Sequence, residues 1–212
     1  TKSNARSTVH RTSFMDYIGI KTFDANGDPD GELRFLGLFT SAAYLSSVTE
    51  IPVVRRKVHD VTTRSGVTLP SHSGKDLVNE LFQARTEDLY RTAMGVLRLA
   101  GRRRLRLFLR RDVYGRFYSC LVYLPRDRFN TDNRVKIQKI LSERLGGIGV
   151  DYDTRVTESV LARLHFVIRI DPYAETGPVD VDAIQAELAD ATRSWDADLA
   201  LQLDHHVGEG QA

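Results

Sequence analysis

Between Val160 and Ile170 the chain alternates: Val160, Ala162, Leu164, Phe166, Ile168 and Ile170 share one face, while Arg163, His165 and Arg169 lie on the other. A period of two sustained over that length is the pattern of a β-strand with one face on a core. Such a strand needs neighbours, and the residues before it supply them. Leu105, Leu107 and Leu109 alternate with Arg104, Arg106, Phe108 and Arg110, which predicts a strand with a basic outer face. Asp112 to Gly115 form a tight turn into a second strand, Arg116 to Leu124, ended by Pro125. A capped helix follows over Thr131 to Leu145, with Ile137, Ile140, Leu141 and Leu145 inward; Gly146, Gly147 and Gly149 stop it. Val150 to Thr157 is a third strand. After the alternating fourth strand, Val181, Ile184, Leu188 and Ala191 mark a second helix. The order ββαββα, with four one-faced strands and two helices to cover them, predicts an antiparallel ferredoxin-like sandwich in permuted order. A further helix is expected from a cap at Ser194, with Trp195, Leu199 and Leu203 on one side.

The first half is less regular. Asp16 to Asp24 and Glu32 to Thr40 read as two strands around the turn-rich stretch Ala25 to Gly31. Ile18 and Ile20 face one way, Tyr17 and Phe23 the other, so a hairpin covered on both sides is expected. Ser41 to Ser47 suggests a short helix. Thr49 is placed to cap a longer one, with Pro52 in its first turn, Gly66 near its end and Val54, Val58 and Val61 as its stripe. Apolar residues from Leu77 to Phe82 suggest a helix, and Thr86 to Leu99 a clearer one. The fold class is therefore α+β throughout.

Composition narrows the setting. No apolar run reaches the ~20 residues that span a bilayer, and no signal peptide opens the chain. One cysteine, Cys120, makes no internal disulfide and fits a reducing compartment, so a cytoplasmic location is expected. The chain starts at Thr1 rather than Met and reads as a piece of a longer protein. The formal charge of +2 hides two blocks: Arg98 to Arg116 holds eight Arg against Asp112, and Asp171 to Ala212 holds ten acidic residues against Arg193. Such blocks suit each other or a neighbouring subunit.

Each motif that suggests chemistry has a plainer reading. The run GRRRLRLFLRR invites phosphate binding, but its alternation with Leu places the charges on one side of a strand, without a stacking pattern of aromatic residues. Gly146-Gly147-Ile148-Gly149 follows a helix and opens a strand, the reverse of the order a dinucleotide loop needs. Lys75 in SHSGKDL lacks the remainder of a P-loop. His205 and His206 are adjacent, without a third ligand. Cys120 reads as packing, and His165 as a surface or interdomain histidine. No set of nucleophile, base and orienting group can be assembled, so no catalytic, cofactor-binding or metal-binding residue is assigned.

The stretch DYIGIKTFDANGDPDGELRFLGLFTSAAY, then IPVVRRKV and SHSGKDL, resembles the N-terminal part of the large bacterial NAD-dependent glutamate dehydrogenases. The likeness continues through GRRRLRLFLRRDVYGRFYSCLVYLPRDRFNTDNR, ESVLARLHFVIRID and ATRSWDADL. One departure stands out: LVN runs straight into ELFQ, where members of that family carry additional residues. The resemblance implies a PAS-like part with helices over residues 1–84, a linker helix over 85–101, an ACT-like domain over 102–192 and the start of a helical segment over 193–212. It also implies a parent enzyme that oxidatively deaminates glutamate to 2-oxoglutarate and ammonia with NAD, its catalytic domain lying elsewhere. The segment itself would be a non-catalytic regulatory and assembly unit of a homo-oligomer, with no cofactor of its own. Its partners would be other domains and subunits of the parent and a small amino-acid effector, with no nucleic acid and no membrane. By analogy with ACT-like modules, Arg110, Arg111, Arg116, Arg126 and Arg128 are the candidates for effector or interdomain contacts, since guanidinium pairs with carboxylate in bidentate fashion. The alternatives are a purely structural interdomain or oligomerisation scaffold and, in a different class, a nucleic-acid-binding module.

Overall fold

The computed structural model describes residues 1–9, 13–40, 42–43, 46–66, 84–99, 102–156, 159–174 and 177–193. The expected helix around Leu77 to Phe82, the Asn79–Glu80 junction, Lys75, the helix expected from Ser194 and His205–His206 lie outside the described residues. The chain divides into two compact units, Thr1–Arg98 and Leu99–Ala212.

The first unit carries a three-stranded antiparallel sheet in the order β1-β2-β3, formed by Lys2–Arg6, Phe14–Phe23 and Pro29–Gly37. β1 has no apolar alternation to announce it; the ion pair of Lys2 with Asp16 across the strands, at 2.9 Å, helps to seat it. The β2–β3 turn is closed by Asp24, whose carboxylate accepts the N–H groups of Asn26 and Asp28 at 2.8 and 2.9 Å. Those backbone donors, that of Asp28 first, lower the Asp24 pKa. The hairpin departs from expectation in one respect. Ile18, Ile20, Phe23, Leu33 and Phe35 are all exposed, so neither face is covered as the apolar content suggested.

Among the described residues two longer helices follow: α1, Val54–Ser65, and α2, Thr86–Arg98. Helix α1 buries the stripe Val54, Val58 and Val61, as its spacing predicts, and Gly66 ends it in the left-handed conformation. Its start differs. Thr49 does not cap it; the helix begins after Pro52, at Val53, which sits at φ 66 without a side-chain cap. Helix α2 buries Leu89 and Ala93 and packs on α1. Lys57 Nζ donates to the Ala84 carbonyl at 2.7 Å, and Arg64 reaches Glu87 at 2.8 Å.

The second unit is a four-stranded antiparallel sheet in the order β4-β5-β7-β6, from Arg106–Arg111, Phe117–Pro125, Leu161–Ile170 and Gly147–Arg155. Helix α3, Thr131–Leu145, carries the chain from β5 over to β6, and β7 then inserts between them. That is the split β-α-β unit of a ferredoxin-like fold, here in the order ββαββα. Helix α4, Val181–Ala191, closes the layer. Asn130 caps α3 by accepting the Asn133 N–H at 2.8 Å, and Asp180 caps α4 through the Ala183 N–H at 2.9 Å. The core lies between sheet and helices. Tyr118, Cys120, Val122, Leu124, Ala162, Leu164, Phe166, Ile168 and Ile170 meet Ile137, Leu141, Leu145, Ile184 and Leu188. At the α3–β6 junction Gly146 adopts φ 66, and its N–H returns to the Ser142 carbonyl. Gly147 has no room for a side chain, since a Cβ there would stand 2.8 Å from Ile168 Cγ2 and 3.1 Å from Ser142 Cα.

Candidate functional site

The other face of this sheet holds the residues whose chemistry needs explaining. Register places them in rows. Arg106, Tyr123, Arg163 and Arg155 lie side by side across the four strands; Phe108, Leu121, His165 and Asp153 form the next row; Arg110, Ser119, Val167 and Asp151 the third. Phe117 and Arg169 pair beyond them. The alternation predicts a charged face that is solvated or turned to a partner; on the two central strands it is not solvated, since every residue of β5 and β7 is buried on both faces. Arg163, His165 and Arg169 are only 6%, 5% and 5% exposed.

Charge held at that depth must be compensated. Arg163 bonds the Asp153 carboxylate at 2.9 Å, and the Arg169 guanidinium lies 5.5 Å from the centre of the Phe117 ring. Ser119 Oγ and His165 Nε2 share a hydrogen bond of 2.8 Å. A serine beside a histidine invites a hydrolytic reading, but Ser119 is 2% exposed, so no substrate reaches its hydroxyl. Asp153 stands opposite His165 in register and is engaged by Arg163. The two central strands thus carry a buried polar row that ends on the exposed Asp153 of the β6 edge. Sequence reasoning found its histidine and the arginines of β4 and β7. It missed Ser119, Tyr123 and Asp153, because strand register is invisible in a single strand's alternation.

The five candidate arginines fall into two groups. Arg110 and Arg111 end β4, and Arg116 precedes β5 across the turn. Arg126 and Arg128 lie in the 3-10 turn after β5. At ~3.3 Å per residue the nine residues of β5 separate the groups by about 30 Å, so no small carboxylate touches both. In the first group Arg116 is already engaged. Its Nε donates to Asp112 Oδ2 at 3.2 Å, and its guanidinium lies 4.9 Å from the Tyr114 ring centre. The same Asp112 oxygen accepts the Tyr114 N–H at 3.3 Å, so this buried carboxylate organises the hairpin tip. Arg111 is exposed beside the Tyr118 ring, and Arg110 is half-buried opposite Ser119. In the second group the backbone does the fixing: Arg126 N–H donates to the Val160 carbonyl at 3.0 Å, and the Arg128 carbonyl accepts from Asn133 Nδ2 at 2.8 Å.

A dinucleotide does not fit the glycine-rich turn at Gly146–Gly149. Gly146 terminates α3 instead of opening a helix, and Gly147 is packed against Ile168 and Ser142, so no helix N-terminus faces a pyrophosphate there. Cys120 is fully buried in the core. Among the described residues no helix is long and apolar enough to cross a membrane.

Comparison with known proteins gives these elements a context. Residues 106–196 match the family model described as glutamate dehydrogenase, ACT2 domain, and residues 51–102 match glutamate dehydrogenase, helical motif 1. The chain is 40% identical over 215 residues to the NAD-specific glutamate dehydrogenase of Pseudomonas aeruginosa, covering 97% of this chain and 13% of that protein. It is 39% identical over 219 residues to the Halomonas elongata protein of the same name, covering 100% of this chain and 14% of the relative. To that of Mycobacterium tuberculosis it is 37% identical over 183 residues, or 77% of this chain and 11% of the relative. The chain thus spans about an eighth of the length of the curated relatives it matches.

Proposed function

Because this chain belongs, through its helical motif 1 and ACT2 regions, to the NAD-specific glutamate dehydrogenase family, we propose that it is a regulatory and assembly segment of such an enzyme, without chemistry of its own. The parent would convert glutamate to 2-oxoglutarate and ammonia with NAD in the cytoplasm, using residues outside this chain. Residues 1–84 would be its PAS-like part, 85–101 a linker helix and 102–192 its ACT-like domain. The observation that carries the reading is the buried polar outer face of the ACT-type sheet. A reaction centre needs an accessible nucleophile or base, whereas on this face Arg163, His165 and Arg169 are buried within the chain itself.

The partners on this reading are other domains and subunits of the parent, together with a small amino-acid effector. Arg111 with Arg110 at the hairpin, or Arg126 with Arg128 about 30 Å away, would take the effector's carboxylate, as separate sites. The engagement of Arg116 by Asp112, at 3.2 Å, is what a second reading, a scaffold without effector, would expect of that residue. Calorimetric titration of amino acids into the full-length enzyme decides between them. The effector reading expects saturable heat that Arg111→Ala or Arg126→Ala removes. Heat that neither substitution changes, as expected from glutamate at the catalytic domain alone, leaves the scaffold.

A further inference from the structure

β3 is the edge of its sheet, and eight of its nine residues, from Pro29 to Leu36, are exposed. Among the described residues no strand pairs with its outer side. A long edge carrying Leu33, Phe35 and Leu36 at about half exposure is a template for another strand, and nothing in its composition blocks pairing except Pro29 at its very start.

The sequence of β3 indicates which strand fits. Its midpoint is Leu33. A second β3, antiparallel and related by a two-fold axis through Leu33, sets Leu33 beside Leu33, Glu32 beside Arg34, and Gly31 beside Phe35, each unlike pair occurring twice. Opposite charges directly across a strand pair are favourable, and an aromatic ring lying over a cross-strand glycine is a known device for pinning register. Moving the axis one residue either way sets Arg34 beside Arg34 or Glu32 beside Glu32, which is unfavourable. The side chains also sort by face. Leu33 and Phe35 share a face with their β2 partners Ile20 and Ile18, and Glu32 and Arg34 lie on the opposite one. Pairing therefore joins two exposed apolar patches into one strip, and on the other side it sets the Glu32–Arg34 pair that each strand already forms, at 2.9 Å, against its two-fold copy with unlike charges facing.

We propose that β3 is a self-pairing edge, joining two copies of this chain through Pro29–Gly37 into one six-stranded antiparallel sheet centred on Leu33. The proposal deepens the assembly part of the reading above and rests on it. One strand pair is a small contact by the standard of ~800 Å² per partner, so the association is weak unless other contacts of the parent assembly support it.

A covalent trap suits a weak, register-defined contact. Across an antiparallel pair, facing Cα atoms stand about 4.5–5.5 Å apart, within disulfide range. Leu33→Cys in the 212-residue chain should give a disulfide-linked dimer under mild oxidation. Leu36→Cys should not, because the two copies of residue 36 lie six residues out of register, about 20 Å apart. The native Cys120 is fully buried and serves as the background. Independently, Glu32→Arg and Arg34→Glu should each lower the dimer fraction in sedimentation, and the double exchange should restore it. Equal cross-linking at positions 33 and 36, no cross-link at 33, or a charge exchange without rescue would each overturn the pairing. Those failures would leave the regulatory reading standing, since amino-acid binding to the parent enzyme tests it separately.

Discussion

Leu121→Ala asks whether the outer face of the ACT-type sheet is a covered surface. Leu121 lies on that face, between Phe108 and His165 in register, and is 2% exposed. It is not part of the core beneath the helices. On a solvated face, truncating it would change stability by no more than about 0.5 kcal/mol. In a packed, covered setting a Leu→Ala change costs about 2–5 kcal/mol. Taking ~3 kcal/mol and a urea dependence of ~2 kcal/mol per molar, the unfolding midpoint should fall by about 1.5 M. Leu164→Ala, on the fully buried inner face of β7, is the matched control and should fall by a similar amount. The measurement is a urea titration of the 212-residue chain followed by circular dichroism, with the slope checked for constancy. If Leu164→Ala shifts by more than about 1 M while Leu121→Ala shifts by less than about 0.3 M, the outer face is solvated and the contact-surface reasoning fails.

Gly147→Ala should destabilise the second unit by about 1–3 kcal/mol, because the new methyl would meet Ile168 and the Ser142 backbone at the α3–β6 junction; thermal unfolding reads this. Asp112→Ala should loosen the β4–β5 tip by removing the acceptor of Tyr114 N–H and Arg116 Nε, seen as faster amide exchange at residues 113–116 while β7 stays protected. Asn130→Ala removes the cap of α3 and should cost about 1 kcal/mol in denaturant unfolding. Glu87 has its pKa lowered, chiefly by the hydrogen bond from Arg64, so what the pair adds to folding is present above the unfolded carboxylate pKa and lost as pH falls through the folded one. Arg64→Gln should move the Glu87 titration upward in an NMR experiment, and an unmoved curve would refute the pairing.

The fold was most legible where periodicity and punctuation agreed. The alternation of β7, the span of α3 with its glycine stop, and α4 from Val181 to Ala191 all follow from residue pattern, because each element buries a single stripe against one layer. What pattern cannot carry is the identity of whatever lies beyond a face. Arg163, His165 and Arg169 read equally as solvated or as turned to another surface, and only the structure shows them buried. Ile18, Ile20 and Phe35 look covered because they are apolar, yet they are exposed. Both cases concern contacts outside the element's own layer. β1 was not legible at all, since KSNAR has no apolar alternation and is held by pairing with β2. At the candidate site, closeness in sequence misled. Arg110 to Arg128 spans only a short stretch, but a full strand lies within it and divides the arginines between two ends of the sheet.

The central claim is that this segment governs assembly and regulation while the chemistry lies elsewhere in the parent enzyme. Leu164→Asp in the full-length protein tests it most directly, since an unpaired carboxylate in the centre of the ACT-type core costs several kcal/mol and disrupts that layer. The measurement is light scattering on a sizing column with glutamate-dependent NADH formation assayed across the eluted peak. The account predicts a smaller assembly, or one no longer responsive to amino acids, that still turns over glutamate with NAD. Turnover abolished in an assembly of unchanged mass and unchanged amino-acid binding would contradict it.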